Sequence, residues 1–225
     1  MRILGIETTS PRCSVALVEQ GHVVASAPLS SPDSRAEHTL AAIDGLFTQA
    51  GWQKSSLERI GAGIGPGSFT GVRVGIALAE GIAAGLGISV VGVGSLKAMA
   101  LAVSSEDKRI RCPVMDARRG ELFVAAYDAN GNELWSPRLI AQTAAPSTIA
   151  QALGANYVLL GAAAHGVDAP HLVDDLTDYP HASVIALHAQ HIAPDGMPVL
   201  PQYIREADAI IPNLPPSPLN QERKP

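Results

Sequence analysis

At 225 residues the chain can bury a substantial core, as one large domain or as two small lobes. Hydrophobic residues make up 47% and charged residues 16%, with 21 glycines, a composition that excludes disorder over most of the length and points to closely packed elements. The formal net charge of −5 lacks the basic character of a self-sufficient nucleic-acid binder, whose affinity rests on neutralising phosphates.

The opening run RILGIE is too short for a signal-peptide core, and no stretch reads as the roughly 20 apolar residues of a membrane span, so a cytoplasmic location is expected. Cys13 and Cys112 then read as reduced, half-buried thiols.

Residues 2–7 and 13–19 are short apolar runs separated by the turn-forming TTSPR, and 22–29 continues the meander as a third strand. Leu40, Ile43, Leu46 and Phe47 recur at helical spacing within 36–50, with Gly51 as the stop. A small-residue strand at 59–64 runs into the turn GPGSFTG, and 72–86 reads as a second helix. A strand at 88–93 and a helix from Ser95, read as its cap, to about 103 complete a βββαβαβα order.

Residues 112–116, 121–127 and 133–140 repeat the strand–turn–strand–turn–strand pattern, followed by a helix near 146–153, a strand at 157–161 and a helix near 182–193. Glu7 and Asp116 hold matching places, each at the end of the first strand of its half. Two βββαβα-type halves of this kind predict an α/β protein with the actin-like ATPase (ASKHA, ribonuclease H-like) fold, the second lobe truncated. The expected divisions are 1–107, 108–205 and a Pro-rich disordered tail at 206–225.

The loop GPGSFTGVR at 65–73 permits backbone approach to an anion, yet it has neither the Lys of a Walker A loop nor the third Gly of a dinucleotide fingerprint. Gly71, Gly75, Ala79, Ala83 and Gly87 then recur every fourth residue, a stripe that packs equally well inside the protein or against another subunit. Glu7-Thr8-Thr9 is placed like the first phosphate loop of actin-like kinases, with Thr8 where Gly is usual. Asp116 fits a second such loop or the cap of a hairpin. His188 and His191 lie three apart on a predicted helix with no third metal ligand in view, and Ser68 has no base. Arg109, Arg111, Arg118 and Arg119 form one local basic cluster, read as a solvated loop face.

ILGIETT at 3–9, His38, GPGSFTGVRVGIALAEGIA at 65–83, GVGSLKAMA at 92–100, DARRGELFVAAY at 116–127 and PQYIREADA at 201–209 together resemble the TsaB (YeaZ) family. Two features depart from it: Glu7 stands where Asp is usual, and Gly161-Ala162-Ala163-Ala164-His165-Gly166 replaces a GxGxxxY segment. The resemblance implies a non-catalytic subunit required for threonylcarbamoylation of the N6 of the tRNA adenosine just after the anticodon. Its implied partners are a TsaD-like catalytic subunit, a TsaE-like ATPase and, when alone, a second copy of itself, with tRNA met indirectly through the complex.

On that basis the stripe faces the partner, through His38, Ile43, Phe47, Gly71, Gly75, Ala79 and Ala83, and a Leu at Gly75 or Ala79 would part the two proteins without unfolding either. Glu7, Thr8, Thr9 and Asp116 would be a vestigial nucleotide site, with no dedicated cofactor and at most weak ATP or ADP and Mg2+ binding at the junction with the partner. The alternative is a small ATP-dependent phosphotransferase or ATPase.

Overall fold

The computed structural model describes residues 1–29, 35–172 and 174–205. The predicted tail at 206–225 lies outside them. Three antiparallel strands, β1 (Arg2–Glu7), β2 (Ser14–Glu19) and β3 (His22–Pro28), are followed by α1 (Arg35–Ala50), β4 (Arg59–Gly63), α2 (Phe69–Leu86) and β5 (Ser89–Val93). They form one sheet in the order β3-β2-β1-β4-β5, with β1–β4 and β4–β5 parallel.

The chain then passes through α3 (Ser95–Leu101) into β6 (Ile110–Arg118), β7 (Glu121–Tyr127), β8 (Glu133–Ala141), α4 (Ala145–Leu153) and β9 (Tyr157–Leu160). The second sheet has the order β8-β7-β6-β9, with β6–β9 parallel. That is the first sheet's order with its fifth strand missing, so the duplicated actin-like plan and the shorter second half are both present. α5 (Asp175–Asp178) and α6 (Ala182–Ala189) follow.

β1 is buried at every position after Arg2 because helices cover both faces of its sheet. α1 and α2 place Ile43, Leu46, Phe47, Ala79 and Ala83 against Leu4, Ile6, Leu17 and Ile60 on one face. α6 lies on the other, packed so closely that a Cβ at Gly5 would overlap the Ala182 carbonyl oxygen. Each fully buried Leu or Ile in these layers contributes about 1.5–3 kcal/mol relative to exposure. The second core packs Leu96, Met99 and Ala100 of α3 against Met115, Phe123, Ala125 and Leu160.

The helices thus cross the linear division at 107/108: α3 packs on the second sheet and α6 on the first. Ser95 is the first residue of α3 rather than its cap, a position held by Gly94. α2 begins at Phe69, three residues before the sequence-based start, because the Ser68 hydroxyl caps it by accepting from the Gly71 amide at 3.2 Å.

α6 stops at Ala189, so His188 is on the helix and His191 beyond it. Burial, with Lys97 and His191 adding positive charge, depresses the His188 pKa. A depressed imidazole is neutral in both states at high pH, while the unfolded chain takes up its proton first as pH falls. Stability is therefore expected to decline below about pH 6.5. His188→Gln should flatten that part of a pH–melting profile.

Candidate functional site

Where β1 ends, the backbone bends and Glu7 turns inward. Its Oε1 accepts from the Thr9 amide at 2.5 Å and the Thr9 hydroxyl at 2.6 Å, and Thr9 Oγ1 lies 2.7 Å from Ser95 Oγ at the start of α3. Glu7 and Thr8 are fully buried and Thr9 is 1% exposed. The Thr8 hydroxyl donates to the Gly71 carbonyl of α2 at 2.6 Å and lies directly beneath Gly75, where a Cβ would overlap it. The GPGSFTG turn closes over the same backbone, with the Ser68 amide donating to the Thr9 carbonyl at 2.7 Å.

These contacts do not suit a metal-bound phosphate. The Thr9 amide, which a phosphate loop would aim at an anion, is directed at Glu7, and the carboxylate that would hold Mg2+ has no exposed surface. The Glu–Thr–Ser chain instead ties the end of β1 to α3, and so links the first sheet to the helix that packs on the second. Thr9→Val keeps the shape but leaves polar partners unmatched in the interior. It is expected to cost about 1–3 kcal/mol, read as a lower denaturant midpoint.

Thr9 and the GPGSF turn also border a cleft of about 1100 Å3 between the two sheets, lined across from them by Val114, Met115, Asp116, Arg118 and Phe123. Asp116 does face this space, exposed at 60% of its side chain. Its Oδ1 accepts from the Arg118 amide at 2.7 Å, so it also caps the β6–β7 turn. That turn carries Arg118, Arg119 and Gly120 in succession at φ 67°, 55° and 74°. Of the acids and threonines expected to meet a nucleotide, the structure brings only Thr9 and Asp116 to the cleft.

Residues 199–205 cross the mouth of the cleft. The Gln202 amide donates to the Ile64 carbonyl at 2.7 Å on the first sheet's side. Arg205 donates to the Ala117 carbonyl at 3.2 Å and pairs with Glu121 on the second. Between them Tyr203 stacks on Phe69 with centroids 5.3 Å apart, and the Arg73 Nε donates to the Tyr203 hydroxyl at 2.8 Å. The sequence reading gave Phe69, Arg73 and Tyr203 no role, because the contact joins positions 130 residues apart.

The residues expected at a partner surface divide unequally. His38 is exposed, whereas Ile43, Phe47, Gly71, Gly75, Ala79 and Ala83 are buried within the protein itself. This corrects the expectation: the stripe allows α2 to lie against Thr8 and the first sheet. The opposite face of the same two helices exposes Leu40, Ala41 and Gly45 of α1 with Ala77, Gly81, Ala84 and Gly85 of α2, and a Cβ at Gly45, Gly81 or Gly85 would meet only open space. α2 is apolar enough to cross a membrane by length and composition alone, a weak criterion, and 33% of it is buried here.

The basic cluster also dissolves. Arg111 is buried and donates to the Ser104 carbonyl at 2.8 Å, and Arg109 pairs with Asp107 at 2.7 Å. Arg118 and Arg119 sit at the far end of β6, roughly 25 Å away at the rise of an extended strand. No group of three or more His, Cys, Asp or Glu that could hold a metal occurs among the described residues. Cys13 and Cys112 are both buried and not bonded to each other, and burial pushes the Cys112 thiol up to about 12.

A family model described as "TsaD: tRNA N6-adenosine threonylcarbamoyltransferase" matches residues 27–171. The tRNA threonylcarbamoyladenosine biosynthesis protein TsaB of Escherichia coli K12 is 37% identical over 136 residues, covering 60% of this chain and 58% of that protein. The Bacillus subtilis protein of the same name is 32% identical over 127 residues, covering 56% and 55%. The chain thus spans less than two thirds of the length of these curated relatives. YeaZ from Pseudomonas aeruginosa superposes with a TM-score of 0.72 at 25% identity, covering 90% of this chain and 99% of that one. An activator of 2-hydroxyisocaproyl-CoA dehydratase from Clostridium difficile shares the fold, at a TM-score of 0.51 and 12% identity.

Proposed function

This chain belongs to the family described by the tRNA N6-adenosine threonylcarbamoyltransferase model and, within it, to the TsaB (YeaZ) proteins, and from that premise we propose that it is a non-catalytic subunit supporting threonylcarbamoylation of tRNA. The observation that carries the proposal is the outer face of α1 and α2. An apolar helix with a third of its length buried, studded with small residues that leave open space, suits the close approach of another protein's helices.

A TsaD-like catalytic subunit is the partner that face receives. A TsaE-like ATPase joins the pair, and a second copy of this chain occupies the face when the partner is absent. In this reading the chain supplies no reacting group. The Glu7–Thr9–Ser95 chain is buried structure, and weak ATP or ADP binding, with Mg2+, belongs to the junction with the partner.

The test is co-purification with a TsaD-like protein from the same cell, followed by a threonylcarbamoylation assay with and without this chain. A stable complex whose activity disappears when the chain is omitted is the expected result. No complex, together with ATP hydrolysis by the chain alone, would overturn the proposal in favour of a small actin-like ATPase.

A further inference from the structure

The contacts at the mouth of the interlobe cleft form a platform. Phe69 and Tyr203 remain 46% and 45% exposed although each packs against the other. Arg73 holds the pair in place, its guanidinium 3.7 Å from the Phe69 ring centroid and its Nε bonded to the Tyr203 hydroxyl. Two large aromatic rings fixed in this way at a surface present ready-made stacking area at little entropic cost.

Arg118 lines the same cleft, 79% exposed and in a loose ion pair with Asp116 at 3.8 Å, too long for a hydrogen bond. Tyr179 also lines the cleft, with the Arg12 guanidinium 5.1 Å from its centroid. In a protein of net charge −5 this gathering of arginines and aromatic rings at one opening is a local exception. Asp116 and Asp178 also border the cleft, and they oppose a polyphosphate running into it. One base with one phosphate at the mouth fits both the attraction and the repulsion.

We propose that this mouth binds a single unpaired nucleotide of an RNA directly, the base stacking on the Phe69–Tyr203 platform and the phosphate meeting Arg118. Bases splayed from loops are read this way, on aromatic rings and guanidinium planes. The inference rests on the tRNA-modification reading for the supply of RNA, but the contact belongs to this chain and not to its partner.

The test titrates the 225-residue chain, at low salt, with a fluorescently labelled single-stranded hexaribonucleotide and with an anticodon stem–loop RNA. Saturable binding is expected, weakened at least tenfold by Tyr203→Ala and by Phe69→Ala and retained by Tyr203→Phe. Arg118→Ala should reduce the salt dependence by about one phosphate contact, a change of about 0.7 in the log–log slope. Photo-crosslinking of a 4-thiouridine RNA to the unsubstituted chain should mark the peptide holding Phe69 or Tyr203, which covers the case of a variant that fails to fold.

Absence of binding, equal binding by Tyr203→Ala, or binding of free AMP with none of RNA would overturn the inference. So would loss of co-purification with the TsaD-like protein in Tyr203→Ala while RNA binding is kept, because the platform would then be a protein contact. The scaffold proposal stands or falls on the complex alone and is unaffected by the RNA titration.

Discussion

Gly75→Leu is expected to unfold or severely destabilise the protein rather than merely part it from a partner. Gly75 faces inward from α2, and even a Cβ there overlaps the Thr8 hydroxyl, which is held by its bond to the Gly71 carbonyl. Overpacking of a filled interior costs about 1–3 kcal/mol and more where the backbone must move. At the upper figure the melting temperature of a chain this size falls by roughly 6–12 °C. The paired test is Gly75→Ala with and without Thr8→Ala: the Thr8 Cβ lies 3.6 Å from the added atom, an ordinary contact, so removing Oγ1 should recover most of the lost stability. Additive effects of the two substitutions would remove Thr8 as the reason for the glycine.

The same pair of residues shows what the sequence could and could not convey. Strands β1, β2, β7 and β9 were legible because short apolar runs bounded by turn residues have few other readings, and the matching acids revealed the duplication. The four-residue stripe on α2 correctly announced a close approach. Its direction could not be read, because Thr8 and Gly75 are 67 positions apart and spacing within one helix does not say what lies opposite. Glu7 was legible as a special residue at a strand end, but whether its carboxylate faces the cleft or the interior depends on Thr9 and Ser95, which meet only after both sheets assemble. The crossing of α3 and α6 between lobes was hidden for a related reason: both helices are buried on most sides, so neither shows a single apolar face that would say which sheet it covers. The strap at 199–205 has no periodicity of its own, since its bonds run to Ile64, Ala117 and Glu121 rather than to its neighbours.

Gly81→Leu, six residues further along α2 and on its opposite face, is expected to do the reverse of Gly75→Leu. Nothing lies within 4 Å of a Cβ at Gly81, so the isolated protein accommodates the side chain. Replacing an exposed helical glycine by a good helix former gains up to about 1 kcal/mol, and the melting temperature should hold or rise by roughly 2–4 °C. Against a partner helix the consequence is severe, because the small residues at Ala77, Gly81 and Gly85 set the distance of closest approach and Leu would hold the backbones apart. A loss of at least 100-fold in affinity for the TsaD-like protein, equivalent to about 2.7 kcal/mol, is the expected result of a binding titration. Threonylcarbamoylation at limiting concentrations should fall in step and recover when the chain is supplied in excess, since a scaffold acts by occupancy. An unchanged affinity would move the partner off this face altogether, and a recovered affinity without recovered modification would give the chain a role in the chemistry that the outer face of α1 and α2 cannot supply.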